Sequence, residues 1–120
     1  MTMEIVIKRA YEQASGEDGY RALVDRLWPR GVSRARAELD EWCKDVAPSA
    51  ELRVWFGHEP ERFEEFSARY TEELKASGAP AALLERAEAS GNQRLTLVYA
   101  AKDARNDHVT VLADYLDHLL

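Results

Sequence analysis

Apolar residues along the chain form short runs and helix-like stripes that polar, glycine and proline positions separate. The β-branched run over 3–9 predicts a first strand, and the polar segment 13–19 predicts a loop. A second apolar run over 20–27 is compatible with helix or strand. The alternating residues of 40–46 predict another strand, and the continuously apolar run over 95–101 predicts a strand buried on both faces at the centre of a sheet.

Capping residues and helical spacing predict the helices. Ser33 is suited to cap a short helix through Leu39, while Ser49 and Gly57 are suited to bound a helix over 50–56. The clearest helix opens at Pro60, because buried-type side chains then follow at spacings of three, four and four. These side chains are Phe63, Phe66, Tyr70 and Leu74.

Two more helices complete the pattern. Pro80 is suited to open a helix over 81–89, and Asn106 or Asp107 can cap a last helix with one apolar stripe. That stripe comprises Val109, Leu112, Leu116 and Leu119. Strands separated by helices imply parallel pairing. We therefore predict a single α/β domain over residues 1–120, with a small, mostly parallel sheet and flanking helices in two or three layers.

The net charge of −6 opposes broad binding to nucleic acid, which requires a surplus of basic residues. The charge is unevenly distributed, however, because arginines crowd one segment and glutamates a later one. The arginines are Arg21, Arg26, Arg30, Arg34 and Arg36, and the glutamates include Glu59, Glu61, Glu64, Glu65, Glu72 and Glu73. A local anion site is therefore compatible with an acidic chain.

The hydrophobic runs and the cysteine content bear on the location of the protein and on disulfide and zinc sites. The 120 residues contain no apolar run long enough to cross a bilayer, and the opening residues lack the order of a signal peptide. We therefore expect a soluble, cytoplasmic protein without a membrane partner. The lone Cys43 cannot form an internal disulfide, and it supplies no cysteine and histidine set for zinc.

We expect a functional site at the carboxyl ends of the parallel strands, because ligands usually bind beyond these ends. Arg26 and Arg30 could hold a carboxylate or phosphate, with Trp28 as an apolar wall. Lys102 would add a positive charge, and backbone N–H groups near Asn106 would add a helix dipole. The predicted ligand-binding residues are thus Arg26, Trp28, Arg30, Lys102 and Asn106.

Alternative interpretations exist for each of these residues. Asp25 and Asp103 could neutralise the bases while Trp28 fills the core, so that nothing is bound. Asp25 and His108 are the candidate proton-transfer residues, although His108 could equally make a structural hydrogen bond. Cys43 suits a small buried position better than a nucleophile.

The sequence predicts neither a metal nor a cofactor. His58, His108 and His118 lack the spacing that places two metal ligands on one helix face, so no metal site is predicted. Glycine patterns that bind dinucleotides or phosphates are also missing.

Four strings of residues carry a resemblance to a known family. They are Val-Asp-Arg-Leu-Trp-Pro-Arg-Gly at 24–31, Leu-Asp-Glu-Trp at 39–42 with Lys-Asp-Val-Ala-Pro-Ser at 44–49, Trp-Phe-Gly-His at 55–58, and Leu-Val-Tyr-Ala-Ala-Lys-Asp at 97–103. Together they resemble the YeaO-like domain-of-unknown-function family over nearly the whole chain.

The resemblance implies no established reaction. Labels attached to some members, such as methyltransferase or transcription regulator, have no supporting motif here. Broader relatives carry Cys-His-Arg where this chain has Asn106, Asp107 and His108, so the resemblance brings no thiol chemistry to that position.

Two functions follow from these observations. The first is an enzyme or binding protein for a small anionic metabolite at the carboxyl end of the sheet, with Asp25 or His108 moving a proton. The alternative is a noncatalytic module that binds a metabolite or a protein, and that could form a homodimer through exposed aromatic residues. Sequence-specific DNA binding ranks last, because the final helix carries Asp107, Asp114 and Asp117.

Overall fold

The computed structural model describes residues 3–120, and a parallel sheet of four strands forms its centre. The strands are β1 (Glu4–Arg9), β2 (Tyr20–Leu23), β3 (Glu41–Trp42) and β4 (Arg94–Tyr99). Their order across the sheet is β1-β4-β2-β3. Leu95 of β4 pairs with Ile5 on one side and with Tyr20 on the other, which confirms the predicted central strand.

Within residues 3–120, five α-helices accompany the sheet: α1 (Arg34–Ala37), α2 (Ala50–Phe56), α3 (Phe63–Ala76), α4 (Ala79–Ala89) and α5 (His108–Leu119). The predicted caps of α2 are confirmed, because Ser49 Oγ accepts a hydrogen bond from the Leu52 N–H at 3.2 Å and Gly57 has a left-handed φ of 55°. Ser33 likewise caps α1, with its Oγ 3.0 Å from the Arg36 nitrogen.

The two faces of the sheet are covered differently. The main core joins alternate side chains of β2 and β4, such as Ala22 and Leu97, to α2, α3, α4 and α5. On the opposite face, Leu23 and Val98 pack under the segment after β2, which contributes Val32 and Ala37. The fold is therefore an α/β sheet with four helices on one face and an irregular segment with one short helix on the other.

Some predicted boundaries were wrong. The run over 20–27 is a strand as far as Leu23, after which the chain leaves the sheet. Of the strand predicted over 40–46, Glu41 and Trp42 pair with β2, whereas Lys44–Val46 forms a 3-10 turn. Pro60 begins a 3-10 turn over Pro60–Arg62, and α3 follows it. Cys43 and Val46 would point to opposite faces of a strand, but both are buried within an irregular connection, and Lys44 is exposed.

Among residues 3–120, no helix is both long enough and apolar enough to cross a membrane.

Candidate functional site

A cavity of about 550 Å³ opens where β1, β2 and β4 reach their carboxyl ends. The segments that follow these strands contribute one wall, and α2 with the loop before it contributes the other. Apolar side chains, among them Phe56 of α2 and Phe66 of α3, also line the cavity. The polar residues of the lining are Asp25, Arg26, Arg30, Arg53, His58, Asp107 and His108.

Asp25 lies where β2 parts from the sheet. The preceding Val24 still donates its N–H to the Val98 carbonyl at 3.0 Å. Asp25 Oδ2 then accepts the Ala100 N–H at 2.9 Å, and its own carbonyl accepts the Trp42 indole N–H at 2.8 Å. Asp25 therefore joins the ends of the two central strands, which fixes its carboxyl group at the base of the cavity.

His108 is the first residue of α5, and the residue before it caps the helix. Asp107 Oδ2 accepts the Val109 N–H at 3.1 Å. One of the N–H groups that the sequence suggested for a ligand near Asn106, that of Val109, therefore already has a carboxylate partner in Asp107. This arrangement places the His108 ring beside the cavity, with its edge against the Tyr70 ring at a centroid distance of 5.9 Å.

Both ring nitrogens of His108 face oxygen atoms. Nε2 lies 3.0 Å from the carbonyl oxygen of Val24 and 3.5 Å from Oδ1 of Asp25. Nδ1 lies 3.4 Å from Oδ2 of Asp107. A carbonyl oxygen can accept but not donate, so Nε2 carries a proton. A carboxylate facing Nδ1 favours a second proton there, and so favours the imidazolium form of the ring.

The environment changes the pKa values of all three residues. Burial alone would lower the pKa of His108, but the contact with Asp107 and the charges of Asp107 and Asp25 outweigh it and raise that pKa. Burial raises the pKa of Asp25, since the charge of His108 only partly opposes it. Burial would also raise the pKa of Asp107, but the contacts of this carboxylate with His108 and with the Val109 N–H outweigh burial and lower the pKa. Asp107 is thus the ionised partner of His108.

The same three side chains also form a compact set of metal-type donor atoms. One atom from each of Asp25, Asp107 and His108 lies within 4.8 Å of the others. A metal ion would need a deprotonated imidazole nitrogen with a free lone pair. Since both nitrogens of His108 face oxygen acceptors, we interpret the set as a hydrogen-bonded ion cluster, and the sequence-based expectation of no metal stays a prediction.

Three arginines bring positive charge to the cavity. Arg26 donates from Nη2 to the Pro48 carbonyl at 3.0 Å, and its Nε is buried without a hydrogen-bond partner among the described residues. Arg30 and Arg53 are exposed at the rim. Three guanidinium groups and the His108 ring thus line the cavity with two carboxyl groups, so basic side chains outnumber acidic ones there although the protein is acidic.

Trp28 has both of the roles that the sequence left open. It lines the cavity, and it also packs with its edge against Trp42 at a centroid distance of 5.4 Å in the second core. Its indole N–H donates to the Val32 carbonyl at 2.6 Å, and the Arg34 guanidinium lies over its ring at 4.4 Å. These contacts hold the loop after β2 in place.

The structure thus brings together Asp25, Arg26, Trp28, Arg30 and His108 of the predicted site residues. Lys102 and Asn106 are exposed and do not line the cavity. Asp103, considered as a partner for the cavity bases, pairs with Arg105 at 2.9 Å. The segment after β4 therefore contributes its first and last residues to the cavity, while the 3-10 turn over Ala104–Asn106 lies outside it.

Sequence reasoning did not find Arg53 and did not assign Asp107 and His58 to the site. The position of Asp107 directly before the candidate residue His108 could have indicated that Asp107 belongs to the site. Arg53 and His58 belong to α2 and to the turn after it, and their approach to the cavity depends on how α2 packs across the sheet. His58 takes a left-handed φ of 58° directly after Gly57, which turns the chain back beside the cavity.

Cys43 is buried and lies outside the cavity, as the sequence suggested. Burial and the charge of Glu41 raise the pKa of its thiol to about 11. A thiol with so high a pKa is a poor nucleophile at neutral pH.

Comparison with known proteins identifies the family. The family described as the inactive DUF488-N3 subclade matches residues 4–120. The uncharacterized protein YeaO of Escherichia coli strain K12 is 44% identical over 117 residues, which cover 98% of this chain and 100% of YeaO. The uncharacterized protein Rv3073c of Mycobacterium tuberculosis H37Rv is 46% identical over 111 residues, 92% of each chain. No solved structure matches the chain. The chain therefore belongs to the YeaO-like family, within the inactive DUF488-N3 subclade.

Proposed function

We propose that this protein binds a small anionic ligand, a carboxylate or a phosphate, in the cavity at the carboxyl end of its sheet, and that it does so without turning the ligand over. The observation that carries the proposal is the charge of the cavity. Three arginines line it together with a histidine whose pKa is raised by two neighbouring carboxyl groups. Guanidinium groups match the geometry of carboxylate and phosphate oxygens.

Two observations favour binding over catalysis. The first is that the His108 nitrogens are both engaged with oxygen atoms of the protein, so neither is available to take a proton from a ligand. The second is that the matching family is described as inactive. A small-molecule cavity typically measures about 300–1,000 Å³, and the volume here lies in that range.

Catalysis is the second candidate, and one specific observation supports it. Asp25 lies beside the cavity with a raised pKa, and burial is the main cause. A carboxyl group of this kind can act as a general acid or base nearer to neutral pH. If the wild type converts a bound anion into a product and Asp25→Asn does not, catalysis is favoured over simple binding.

The test is a thermal-shift titration with inorganic phosphate, acetate and citrate at low ionic strength. A ligand at 100 times its Kd adds about 2.7 kcal/mol to the unfolding free energy, which raises the melting temperature measurably. We expect the rise seen in the wild type to be lost or much reduced in Arg30→Ala and Arg53→Ala, because each variant lacks one guanidinium group of the cavity. Both side chains are exposed, so their removal should leave the fold intact.

The matched control is Lys102→Ala, which removes an exposed cation outside the cavity. It should leave the thermal shift unchanged. If none of the anions raises the melting temperature, or if all three variants respond like the wild type, the cavity is not an anion site.

A further inference from the structure

The rim of the cavity carries two unusually exposed apolar side chains. Val54 on α2 is 81% exposed, and Leu27 in the loop after β2 is 65% exposed. They are the two most exposed large hydrophobic residues in the described part of the chain, and both line the cavity. Single apolar residues scattered over a protein surface are common and need no explanation. Two of them on opposite walls of one cavity do need one.

The apolar surface continues from the rim into the cavity. Pro29 and Pro48 line it, and so do Phe56 and Phe66, which are buried. The phenyl rings of Phe56 and Phe66 stack at a centroid distance of 4.3 Å, so this part of the lining is well packed. A hydrocarbon group placed here would remove apolar surface from water on both the ligand and the protein.

In the sequence, the two exposed arginines of the rim are neighbours of the two exposed apolar residues. Arg53 immediately precedes Val54, and Arg30 follows Leu27 by three residues. Each wall of the cavity therefore offers one exposed guanidinium group and one exposed aliphatic side chain. A ligand that satisfies both must combine an anionic head group with an apolar body.

From this pairing of charge and apolar surface we infer that the ligand is a small amphipathic anion, a carboxylate or phosphate monoester that carries a hydrocarbon chain or ring. The inference rests on the proposed anion site and specifies its ligand class. The volume of about 550 Å³ suits such a molecule. Two exposed aliphatic residues are too small a patch for a stable protein interface, which buries about 800 Å² on each partner.

The experiment measures affinity across a series of unbranched carboxylates, namely acetate, butyrate, hexanoate and octanoate, by isothermal titration calorimetry. Each buried methylene contributes about 0.8 kcal/mol, which is a factor of about four in Kd. Each acid of the series has two more methylenes than the one before it, so we expect the wild type to bind it tighter by up to about fifteenfold. Octanamide, which has the chain without the charge, should bind much more weakly than octanoate.

Variants separate the two parts of the site. Val54→Ser and Leu27→Ser should reduce the gain per methylene, and should therefore weaken octanoate binding far more than acetate binding. Arg30→Ala should weaken every acid of the series by a similar factor. Leu119→Ser is the matched control, because Leu119 is 44% exposed at the end of α5 and outside the cavity, and it should bind the series like the wild type.

The outcomes distinguish this inference from the proposed function. If acetate and phosphate bind in an Arg30-dependent manner but chain length has no effect, the amphipathic ligand is refuted and the anion site stands. If neither phosphate nor any acid of the series binds, both fail. If octanamide binds as tightly as octanoate, the head group is irrelevant, and the amphipathic anion is refuted together with the anion site.

Discussion

Nδ1 of His108 lies 3.4 Å from Oδ2 of Asp107, the carboxylate that also caps the helix in which His108 is the first residue. One side chain thus stabilises both the helix end and the charged imidazole ring. Asp25 and the Val24 carbonyl contact the opposite side of the ring. Together these groups make the stability of the protein dependent on pH.

Replacing His108 should reveal a contribution to stability that fades as pH rises. The folded-state pKa of His108 is raised, so its contribution is fully present below the unfolded pKa of about 6.5 and is lost as pH increases through the folded value. His108→Gln keeps a donor for the Val24 carbonyl but lacks the positive charge. We expect the difference in unfolding free energy between wild type and His108→Gln to be largest near pH 5–6, and to decline at higher pH.

Urea unfolding at a series of pH values measures this difference, and each unit of raised pKa corresponds to about 1.4 kcal/mol. His118→Gln is the matched control, since it changes an exposed histidine of the same helix. Its unfolding free energy should stay close to that of the wild type at every pH. A His108→Gln difference that grows with pH would show that the ring is neutral in the folded protein.

Two substitutions of Asp107 should separate capping from charge. Asp107→Asn keeps a good N-cap and removes the negative charge, whereas Asp107→Ala removes both. We expect Asp107→Ala to be less stable than Asp107→Asn by about 1 kcal/mol, the usual value of an N-cap. The lowered pKa of Asp107 means that its charge stabilises the fold above the unfolded pKa of about 3.9, and that this contribution is lost as pH falls through the folded value.

Chemical unfolding at pH 7 and at acidic pH tests both parts. Asp114→Ala serves as the control, because Asp114 is an exposed acid within the same helix. Equal stability of Asp107→Asn and Asp107→Ala would mean that the carboxylate oxygen on the Val109 N–H contributes nothing to α5.

Gly19 is required by the packing of the chain against β4. Its φ of 67° is left-handed, and a Cβ atom at this position would overlap the backbone carbonyl of Arg94. Gly19→Ala should therefore destabilise the protein by about 1–3 kcal/mol or more, as strained positions do. Gly16→Ala is the matched control in the same loop, where a Cβ atom would meet no atom of the described structure within 4 Å. Thermal unfolding of the two variants compares them directly, and equal melting temperatures would contradict the prediction.

Cys43 should resist thiol reagents in the folded protein. Burial and a pKa of about 11 leave about one thiol in a thousand ionised at pH 8. We expect a chromogenic disulfide reagent to react with Cys43 slowly in buffer and rapidly in urea. Lys102→Cys supplies an exposed thiol as the positive control, and a native Cys43 that reacted equally fast would show that this region opens readily.

Local signals explain why most helices could be predicted from the sequence. Ser49 and Gly57 bound α2 because the capping of a helix depends on its own end residues. The spacing of buried residues from Phe63 to Leu74 likewise reflects contacts that repeat along one helix. Such signals do not depend on distant parts of the chain.

The predictions failed where distant parts of the chain decide the structure. Lys44 fits an alternating strand pattern, but its ammonium group lies 4.0 Å from the centre of the Trp42 ring in a 3-10 turn. For the site, the rule that ligands bind beyond strand ends correctly brought Asp25 and His108 together. The sequence offered Asp107 as a cap of α5, which is confirmed, but it did not assign Asp107 to the site or show that packing of α2 would bring Arg53 to the cavity.

The position of β4 also has a consequence for the way the chain is made. β1 and β2 both pair with β4, yet they precede it by most of the length of the chain. On the ribosome, the two early strands therefore emerge long before the strand that joins them. Pairings between such distant segments are slow to form, and strands left without partners tend to aggregate. We expect the nascent protein to remain open through most of its synthesis and to complete its sheet in a single late step.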